Sequence, residues 1–210
     1  KKVYDFFRKE ARGVHPFFAV LSRMKHIRRW GLMRCTREEN LCEHSFETAV
    51  LAHALAVLRN ERFGGHVSPE RAATLALFHD ASEIFTGDLP TPVKYDNPAL
   101  RESYARVEEH ARERLLSMLP GELRPVYRPL LNEGDEDEEE LRRIVKAADK
   151  LSALIKCMED RRAGNAEFSR AEQTLRRAVE DMRLPEAGCF LTEYLPSYAL
   201  TLDEQEGVSD

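Results

Sequence analysis

The apolar positions of this chain follow a helical period in almost every segment, and no segment shows a convincing strand alternation. Apolar residues recur near i, i+3, i+4 and i+7, which is typical of amphipathic helices. In the segment 43–59 this stripe consists of Phe46, Ala49, Val50, Leu55 and Leu58. The periodicity predicts helices over about 17–27, 43–59, 68–84, 97–118, 141–155 and 166–182.

Start and stop signals bound the predicted helix over 68–84. Ser68 can accept hydrogen bonds from the free N–H groups of a first turn, and Pro69 suits the first helical position. Gly87 is a helix-stopping residue. The two prolines in residues 88–93 favour a stiff loop after it.

Repeats, low-complexity linkers and domain boundaries are not evident in the sequence. We therefore predict an all-α fold with a single domain over residues 1–210, a core over about 15–203 and a loose C-terminal tail after Asp203. No apolar run approaches the roughly 20 residues that a membrane span needs, and residues 1–10 lack the apolar stretch of a secretory signal.

Charge and cysteine content narrow the function classes. With 32 Lys and Arg against 37 Asp and Glu, the net charge is −5, which argues against binding to long nucleic acid. The four cysteines form no CxxC pair and are typical of reduced thiols. We expect a cytoplasmic protein with a small-molecule substrate and no membrane partner.

The candidate chemistry centres on the adjacent pair His79 and Asp80, which follows an apolar run inside the predicted helix. A His-Asp dipeptide alone is more often a satisfied core pair or a surface accident. Burying both groups is costly unless they are paired or bind a metal. His44, near the start of an earlier helix, and Asp149, in a later one, add two further ligand-type side chains from largely apolar faces.

Two imidazoles and two carboxylates suit one divalent transition metal such as Co, Mn, Zn, Ni or Fe, with positions left for water and substrate. Glu83 lies four residues after His79 and three after Asp80, so one helix would carry its carboxylate on the same face. It could handle protons there. Arg29 and Trp30 could instead be a surface arginine beside a partly buried tryptophan, and Asp88 could be only a turn former.

The order His44, His79-Asp80 and Asp149 resembles the H…HD…D pattern of the HD-domain superfamily of all-α, metal-dependent phosphohydrolases. More closely, the chain resembles the bacterial HD-domain 5′-deoxynucleotidases over roughly residues 17–203. The segments that carry this resemblance are LSRMKHIRRWGLMR, ENLCEHS, LALFHDASEIFTGDLPTPVKY and VKAADKLSALIKCMED. It implies an HD-domain helical bundle that removes phosphate from deoxyribonucleoside 5′-monophosphates.

The resemblance also implies residue roles. The metal would be held by His44, His79, Asp80 and Asp149. Catalysis would use Glu83, Arg29 and Asp80, with Arg29 orienting the phosphate and Glu83 assisting proton transfer. The substrate would be contacted by Arg29, Trp30, His44, Asp80, Asp88, Leu89, Pro90, Thr91 and Asp149, with Trp30 and Asp88 favouring the 2′-deoxy sugar. Homodimers are usual in that family.

The sequence contains one departure from the family pattern and leaves three alternative functions open. Cys42 stands where a small serine is expected, and a buried inert thiol is preferred over a soft metal ligand. The enzyme could act on nucleoside triphosphates or on cyclic or signalling nucleotides, or the chain could be a non-catalytic nucleotide-sensing module. A di-iron oxygenase is disfavoured, since only His110 lies between the HD pair and Asp149.

Overall fold

The computed structural model describes residues 13–90, 97–132 and 138–207, and within these ranges the regular structure is helical with no strand. An isolated bridge joins Arg28 and Asn40. The all-α prediction is confirmed. The α-helices in chain order are α1 (Phe17–Leu21), α2 (Leu41–Phe63), α3 (Pro69–Phe78), α4 (Glu83–Thr86), α5 (Pro98–Ser117), α6 (Arg124–Leu131), α7 (Glu139–Arg162), α8 (Ser169–Asp181), α9 (Pro185–Cys189) and α10 (Leu202–Glu206).

Short helical segments of other types connect these helices: the 3₁₀ segments Ser22–His26, Ala166–Phe168 and Leu195–Ala199 and the π-helical turn Phe190–Tyr194. None of the helices in the described ranges combines the length and apolar character needed to cross a membrane.

The main core lies where α2 packs against α3 and α7, while α8 covers another side of α7. Leu55 of α2 and Leu151 and Leu154 of α7 are fully buried there. Burial of one such leucine stabilises the fold by about 1.5–3 kcal/mol. A second, smaller cluster surrounds Phe17 and Ala81. The helices α2 and α7, which the core holds face to face, are those that carry His44 and Asp149.

The apolar stripe predicted for residues 43–59 divides between two faces of α2. Leu55 and Leu58 are buried, but Phe46 is 68% and Val50 54% exposed. Val57 joins them on the outer face. Apolar residues occupy more of the α2 circumference than the core covers, so periodicity alone does not separate the two faces.

Local signals in the sequence account for the start of α2. Asn40 accepts hydrogen bonds from the N–H groups of Cys42 and Glu43, and the Glu43 carboxylate accepts from the Asn40 N–H in return. This reciprocal capping box satisfies N–H groups that lack a helical partner. Because α2 begins at Leu41, His44 lies in its first turn.

The predicted helix start at Ser68 is confirmed, since the Ser68 hydroxyl accepts the Arg71 N–H at 3.1 Å and Pro69 opens α3. The predicted continuation to residue 84 is wrong. The helix α3 ends at Phe78, residues 79–82 form a turn, and α4 begins at Glu83.

Tight i→i−3 hydrogen bonds explain the interruption: the Ala81 N–H donates to Phe78 O and the Glu83 N–H to Asp80 O. Such bonds wind the backbone more tightly than an α-helix. Ala81, within this turn, is fully buried in the second core cluster. The stop at Gly87 is confirmed by its φ of 73°, a conformation that glycine adopts without strain.

The C-terminal region is more helical than the sequence predicts. The segment 185–199 continues as α9 and two short turns, and α10 extends to Glu206, beyond the start of the predicted loose tail. A second capping box explains α10, because Thr201 and Glu204 satisfy each other's backbone N–H groups.

Candidate metal centre

Three helical segments bring ligand-type atoms together at one point. His44 lies in the first turn of α2, Asp149 in the middle of α7, and His79 directly after α3. One ligand atom of each lies within 4.8 Å of the other two. Asp149 Oδ1 lies 3.1 Å from His44 Nε2 and 3.9 Å from His79 Nε2. Among the described residues, His44, His79 and Asp149 are the histidine, cysteine or carboxylate side chains grouped closely enough to hold a metal ion.

Asp80 adds a second carboxylate to this cluster. Its Oδ2 lies 3.2 Å from His79 Nε2 and 3.6 Å from His44 Nε2. The side chain of His44 is fully buried and that of Asp149 is 35% exposed, so the cluster opens towards solvent at Asp149. The four side chains predicted as metal ligands therefore meet in one place.

The orientation of His79 suits a metal ligand. Its Nδ1 lies 2.6 Å from the carbonyl oxygen of Ala76, which only accepts, so Nδ1 carries the proton and Nε2 faces the carboxylates. This buried Nε2 has no partner in hydrogen-bond geometry among the described residues. A buried nitrogen beside two carboxylates is the kind of orphaned group that a cation would satisfy.

The ionisation states of the cluster are strongly perturbed. Burial, followed by the nearby Arg29, lowers the pKa of His44, which keeps its imidazole neutral. Burial alone would lower the pKa of His79, but the carboxylates of Asp80 and Asp149 raise it well above its usual value. Burial opposes ionisation of Asp149, yet contacts with His44 and His79 hold its pKa well below the ordinary range. Burial likewise opposes ionisation of Asp80, yet the adjacent His79 lowers its pKa to about 2, so both carboxylates remain charged in a largely buried site.

Arg29 is part of this site and not a surface residue. Its side chain is only 11% exposed, and Nη1 donates to Asp80 Oδ2 at 3.2 Å. Its Nε donates to Glu39 Oε2 at 3.1 Å. Burial disfavours its charge, but Asp80, Asp149 and Glu39 together raise its pKa, so the guanidinium stays protonated. The surface alternative for Arg29 is wrong.

Trp30 is held by contacts on three sides. Its indole Nε1 donates to Glu39 Oε2 at 3.0 Å, and its ring meets that of Phe168 edge to face at 5.5 Å. Its backbone N–H donates to Asp88 Oδ2 at 3.0 Å, and its φ of 60° lies in the left-handed region. Asp88 therefore joins the loop after α4 to the loop that carries Trp30. A residue that only formed a local turn would not make this long-range bond.

The remaining predicted residues lie around this arrangement. Glu83 is nearly buried in the first turn of α4. Leu89 and Pro90 are half-buried beside Asp88, whereas Thr91 lies outside the described residues. Cys42 is exposed, so the interpretation as a buried thiol is wrong. His110 is exposed on α5, and its Nδ1 donates to Arg106 O at 2.9 Å.

The sequence interpretation missed two residues that contact side chains of this site. Glu39 binds both Arg29 and Trp30, but no periodicity relates position 39 to positions 29 and 30. Ser152 Oγ lies 3.0 Å from His44 Nδ1. It did have a signal, because a serine three residues after Asp149 interrupts the buried apolar stripe of α7.

The amino-acid sequence matches a known protein family. Residues 16–198 match the model of the 5′-deoxynucleotidase YfbR-like family. A protein of Photorhabdus temperata named 5′-deoxynucleotidase yfbR is 48% identical over 188 residues, which are 90% of this chain and 95% of that relative.

Solved structures of HD phosphohydrolases share the fold of this chain. A crystal structure of an HD-domain phosphohydrolase from Listeria innocua superposes with a TM-score of 0.78 at 29% identity, over 92% of this chain and 93% of that one. The HD phosphohydrolase DatZ of cyanophage S-2L, bound to dA and one catalytic Zn²⁺, shares the fold at a TM-score of 0.59 and 22% identity, over 86% and 95% of the two chains. The resemblance predicted from the sequence is confirmed: the chain belongs to the YfbR-like family of 5′-deoxynucleotidases.

Proposed function

We propose that this protein is a metal-dependent phosphohydrolase that removes phosphate from deoxyribonucleoside 5′-monophosphates. Water and the monophosphate would give the deoxynucleoside and inorganic phosphate. The observation that carries the proposal is the hydrogen bond from Arg29 to Asp80 at the edge of the cluster of His44, His79 and Asp149. A guanidinium beside a cation site is what a phosphate monoester requires.

We propose His44, His79, Asp80 and Asp149 as the ligands of one divalent transition metal, with Co, Mn, Zn, Ni and Fe as the candidates. A divalent ion held by these residues would neutralise charge on a phosphoryl group and make water more acidic. The cyanophage protein, which shares the fold and binds one catalytic Zn²⁺, supports a metal cofactor. It does not identify the metal of this chain, because several divalent ions suit mixed nitrogen and oxygen ligands.

The residues of the chain have distinct roles in this proposal. Arg29 presents two N–H groups in a plane to the phosphate oxygens and orients the ester. Glu83, nearly buried one turn beyond the His79-Asp80 turn, exchanges the protons of water and leaving group. Trp30 provides a rigid face against the deoxyribose, and Asp88 with Leu89 and Pro90 lines the same side of the site.

We expect a homodimer in the cytoplasm. The exposed apolar side chains Phe46, Val50 and Val57 lie on the outer face of α2 with a helical spacing of 4 and 7 residues. Large apolar side chains exposed on one helix face are typical of a protein interface. Light scattering of the wild type and of Phe46→Ser tests this expectation, since loss of the dimer in the variant would place the contact on α2.

The function is tested by phosphate release from dAMP and AMP after chelation and after adding back Mn, Co, Zn or Mg singly. We expect metal-restored release from dAMP with little from AMP. His79→Ala should abolish it, and His110→Ala, which alters an exposed histidine on α5, should not. Absence of phosphate release by the folded, metal-loaded protein would contradict the proposal. Release of pyrophosphate or tripolyphosphate from dATP would favour a triphosphate substrate, and nucleotide binding without turnover would favour a sensing module.

A further inference from the structure

The second ring nitrogen of His44 points away from the ligand cluster into the interface between α2 and α7. There, Nδ1 lies 3.0 Å from Ser152 Oγ, and both side chains are fully buried. The Ser152 hydroxyl in turn donates to Glu47 Oε2 at 2.5 Å. The three side chains therefore form a chain of hydrogen bonds that begins at the proposed metal ligand.

The direction of these bonds follows from counting protons. A serine hydroxyl has one proton, and here it is given to the carboxylate of Glu47. The Ser152 oxygen must then accept the N–H of His44 Nδ1. Only one nitrogen of a neutral imidazole carries a proton, so Nε2 has a free lone pair. It faces Asp149 Oδ1 at 3.1 Å and Asp80 Oδ2 at 3.6 Å.

We propose that Ser152 and Glu47 are positioning residues for metal binding, which hold His44 in the tautomer and ring orientation that direct Nε2 to the metal. The inference rests on the proposed function to the extent that a metal occupies this cluster. It concerns residues that no part of the proposed reaction uses. Neither side chain is one of the four proposed metal ligands; both act through His44.

The placement of the pair on the two helices supports this role. Glu47 follows His44 by three residues on α2, and Ser152 follows Asp149 by three residues on α7. In a helix this spacing puts each pair on one face, one turn apart. Where the two helices meet, the proposed ligands His44 and Asp149 therefore lie in one turn, and Glu47 and Ser152 lie in the next.

His79 also has a hydrogen-bond acceptor that fixes its tautomer, but that acceptor is a backbone group. Its Nδ1 donates to the backbone carbonyl of Ala76, an acceptor that exists whatever the side chain. His44 has a side-chain hydroxyl in that place, and a hydroxyl can also donate. Burial raises the pKa of Glu47, and the hydrogen bond that it accepts from Ser152 opposes this rise. In the ionised state Glu47 removes the ambiguity, because a carboxylate only accepts. The Thr48 hydroxyl, 3.5 Å from Nε2, is too distant for a strong competing bond.

The proposal is tested by Co²⁺ affinity, measured by competition with a chromophoric chelator, and by the visible spectrum of the bound Co²⁺. We expect Ser152→Ala and Glu47→Gln each to weaken Co²⁺ binding on the order of 10-fold, the lower range for residues that orient metal ligands, and to alter the spectrum. The double variant should bind no worse than Ser152→Ala, since Glu47 acts through Ser152.

Two matched controls separate positioning from general damage. Ser45→Ala deletes another buried hydroxyl, next to His44, that makes no hydrogen bond among the described residues. Glu61→Gln neutralises an exposed carboxylate on the same helix. Both should keep wild-type Co²⁺ affinity and spectrum.

Two outcomes would overturn the inference: a folded Ser152→Ala variant with wild-type Co²⁺ affinity and spectrum, or additive losses in the double variant. Failure of the proposed function looks different. In that case the wild type binds Co²⁺ and responds to Ser152→Ala, but releases no phosphate from dAMP.

Discussion

Asp88 Oδ2 accepts the backbone N–H of Trp30 at 3.0 Å and so joins two loops that are 58 residues apart in sequence. Trp30 has a φ of 60°, a conformation that costs a non-glycine residue about 1 kcal/mol or more. The bond to Asp88 helps to hold this conformation. Both residues are proposed to contact the sugar, and because of this hydrogen bond we expect the position of Trp30 to depend on Asp88.

The first prediction concerns this dependence. We expect Asp88→Ala to release the Trp30 N–H and lower the ratio of kcat/KM for dAMP over AMP several-fold, while Asp88→Asn, which keeps an acceptor, has a smaller effect. Trp30 is the only tryptophan in the sequence, so intrinsic fluorescence reports its environment directly. The emission of substrate-free Asp88→Ala should change. Unchanged emission would mean that Asp88 acts on the substrate alone.

The second prediction concerns Glu39, whose Oε2 accepts from both Arg29 Nε and Trp30 Nε1. Hydrogen bonds to a charged group contribute about 1.5–3 kcal/mol each. We expect Glu39→Gln to raise KM for dAMP about 10-fold and to lower the preference over AMP, because the neutral amide oxygen holds Arg29 and Trp30 by weaker hydrogen bonds than the carboxylate does. Steady-state kinetics with the two nucleotides measures this.

The neighbouring Glu38 offers a matched control. It pairs with Arg28, but both side chains are about 70% exposed, and exposed ion pairs contribute little. Glu38→Gln should therefore leave KM and the dAMP preference unchanged. Similar kinetic changes in the Glu38 and Glu39 variants would refute a specific role for Glu39.

The parts of the site that could be predicted are those with a sequence pattern. His79 and Asp80 stand out after an apolar run, and His44 and Asp149 interrupt helical stripes. Glu39 has no such signal, because its contacts depend on how the irregular segment between the 3₁₀ turn and α2 folds back. The bridge between Arg28 and Asn40 and the hydrogen bond from the Arg29 N–H to Glu39 O close that segment.

The fold, like the site, has parts that the sequence pattern predicts and parts that it does not. Helix starts at Ser68 and Asn97 follow from capping chemistry, which acts within a few residues. The break after Phe78 could not be predicted from periodicity, because Leu75, Ala76 and Phe78 continue an apolar pattern and no Gly or Pro intervenes. The break accompanies long-range packing of Ala81 against Phe17 and the end of α5. Tertiary contacts of this kind override local preference.

The third prediction concerns the thiols. Cys42 is exposed, and Cys157 is fully buried on α7, where burial raises its pKa to about 12. Only the thiolate reacts with alkylating reagents. We expect iodoacetamide to modify Cys42 in the folded protein at pH 8 and to leave Cys157 unmodified, as mass spectrometry of peptides would show.

Cys42→Ser should keep the Co²⁺ affinity and spectrum of the wild type, since Cys42 is not among the side chains that form the described metal cluster. A changed Co²⁺ spectrum in this variant would show that the thiol is a ligand after all. Equal labelling of Cys157 and Cys42 in the native protein would contradict the buried environment of Cys157.

The last prediction concerns Asp160, a fully buried carboxylate on α7 that anchors the loop carrying Arg29 and Trp30. It accepts from the backbone N–H and the hydroxyl of Thr36 at 2.7 and 2.8 Å, and from Lys156 Nζ at 2.5 Å. Burial alone would raise its pKa, but these bonds lower it from 3.8 to about 2.

A carboxyl group whose pKa is depressed in the folded state stabilises that state above its unfolded pKa and loses the effect as pH falls through the folded pKa. Asp160 should therefore contribute about 2 kcal/mol at neutral pH, and this contribution should disappear between about pH 4 and pH 2. Asp160→Asn also leaves the buried Lys156 ammonium without its counter-charge, so we expect it to lower the free energy of unfolding at pH 7 by about 2–4 kcal/mol.

Urea unfolding at a series of pH values tests both expectations. Relative to wild type, Asp160→Asn should be less stable at pH 7, and the difference should shrink on acidification towards pH 2. Asp181→Asn, an exposed position at the end of α8, should follow the wild-type curve. A constant difference between Asp160→Asn and wild type across this pH range would show that the amide disturbs packing, and that the charge of Asp160 does not stabilise the loop.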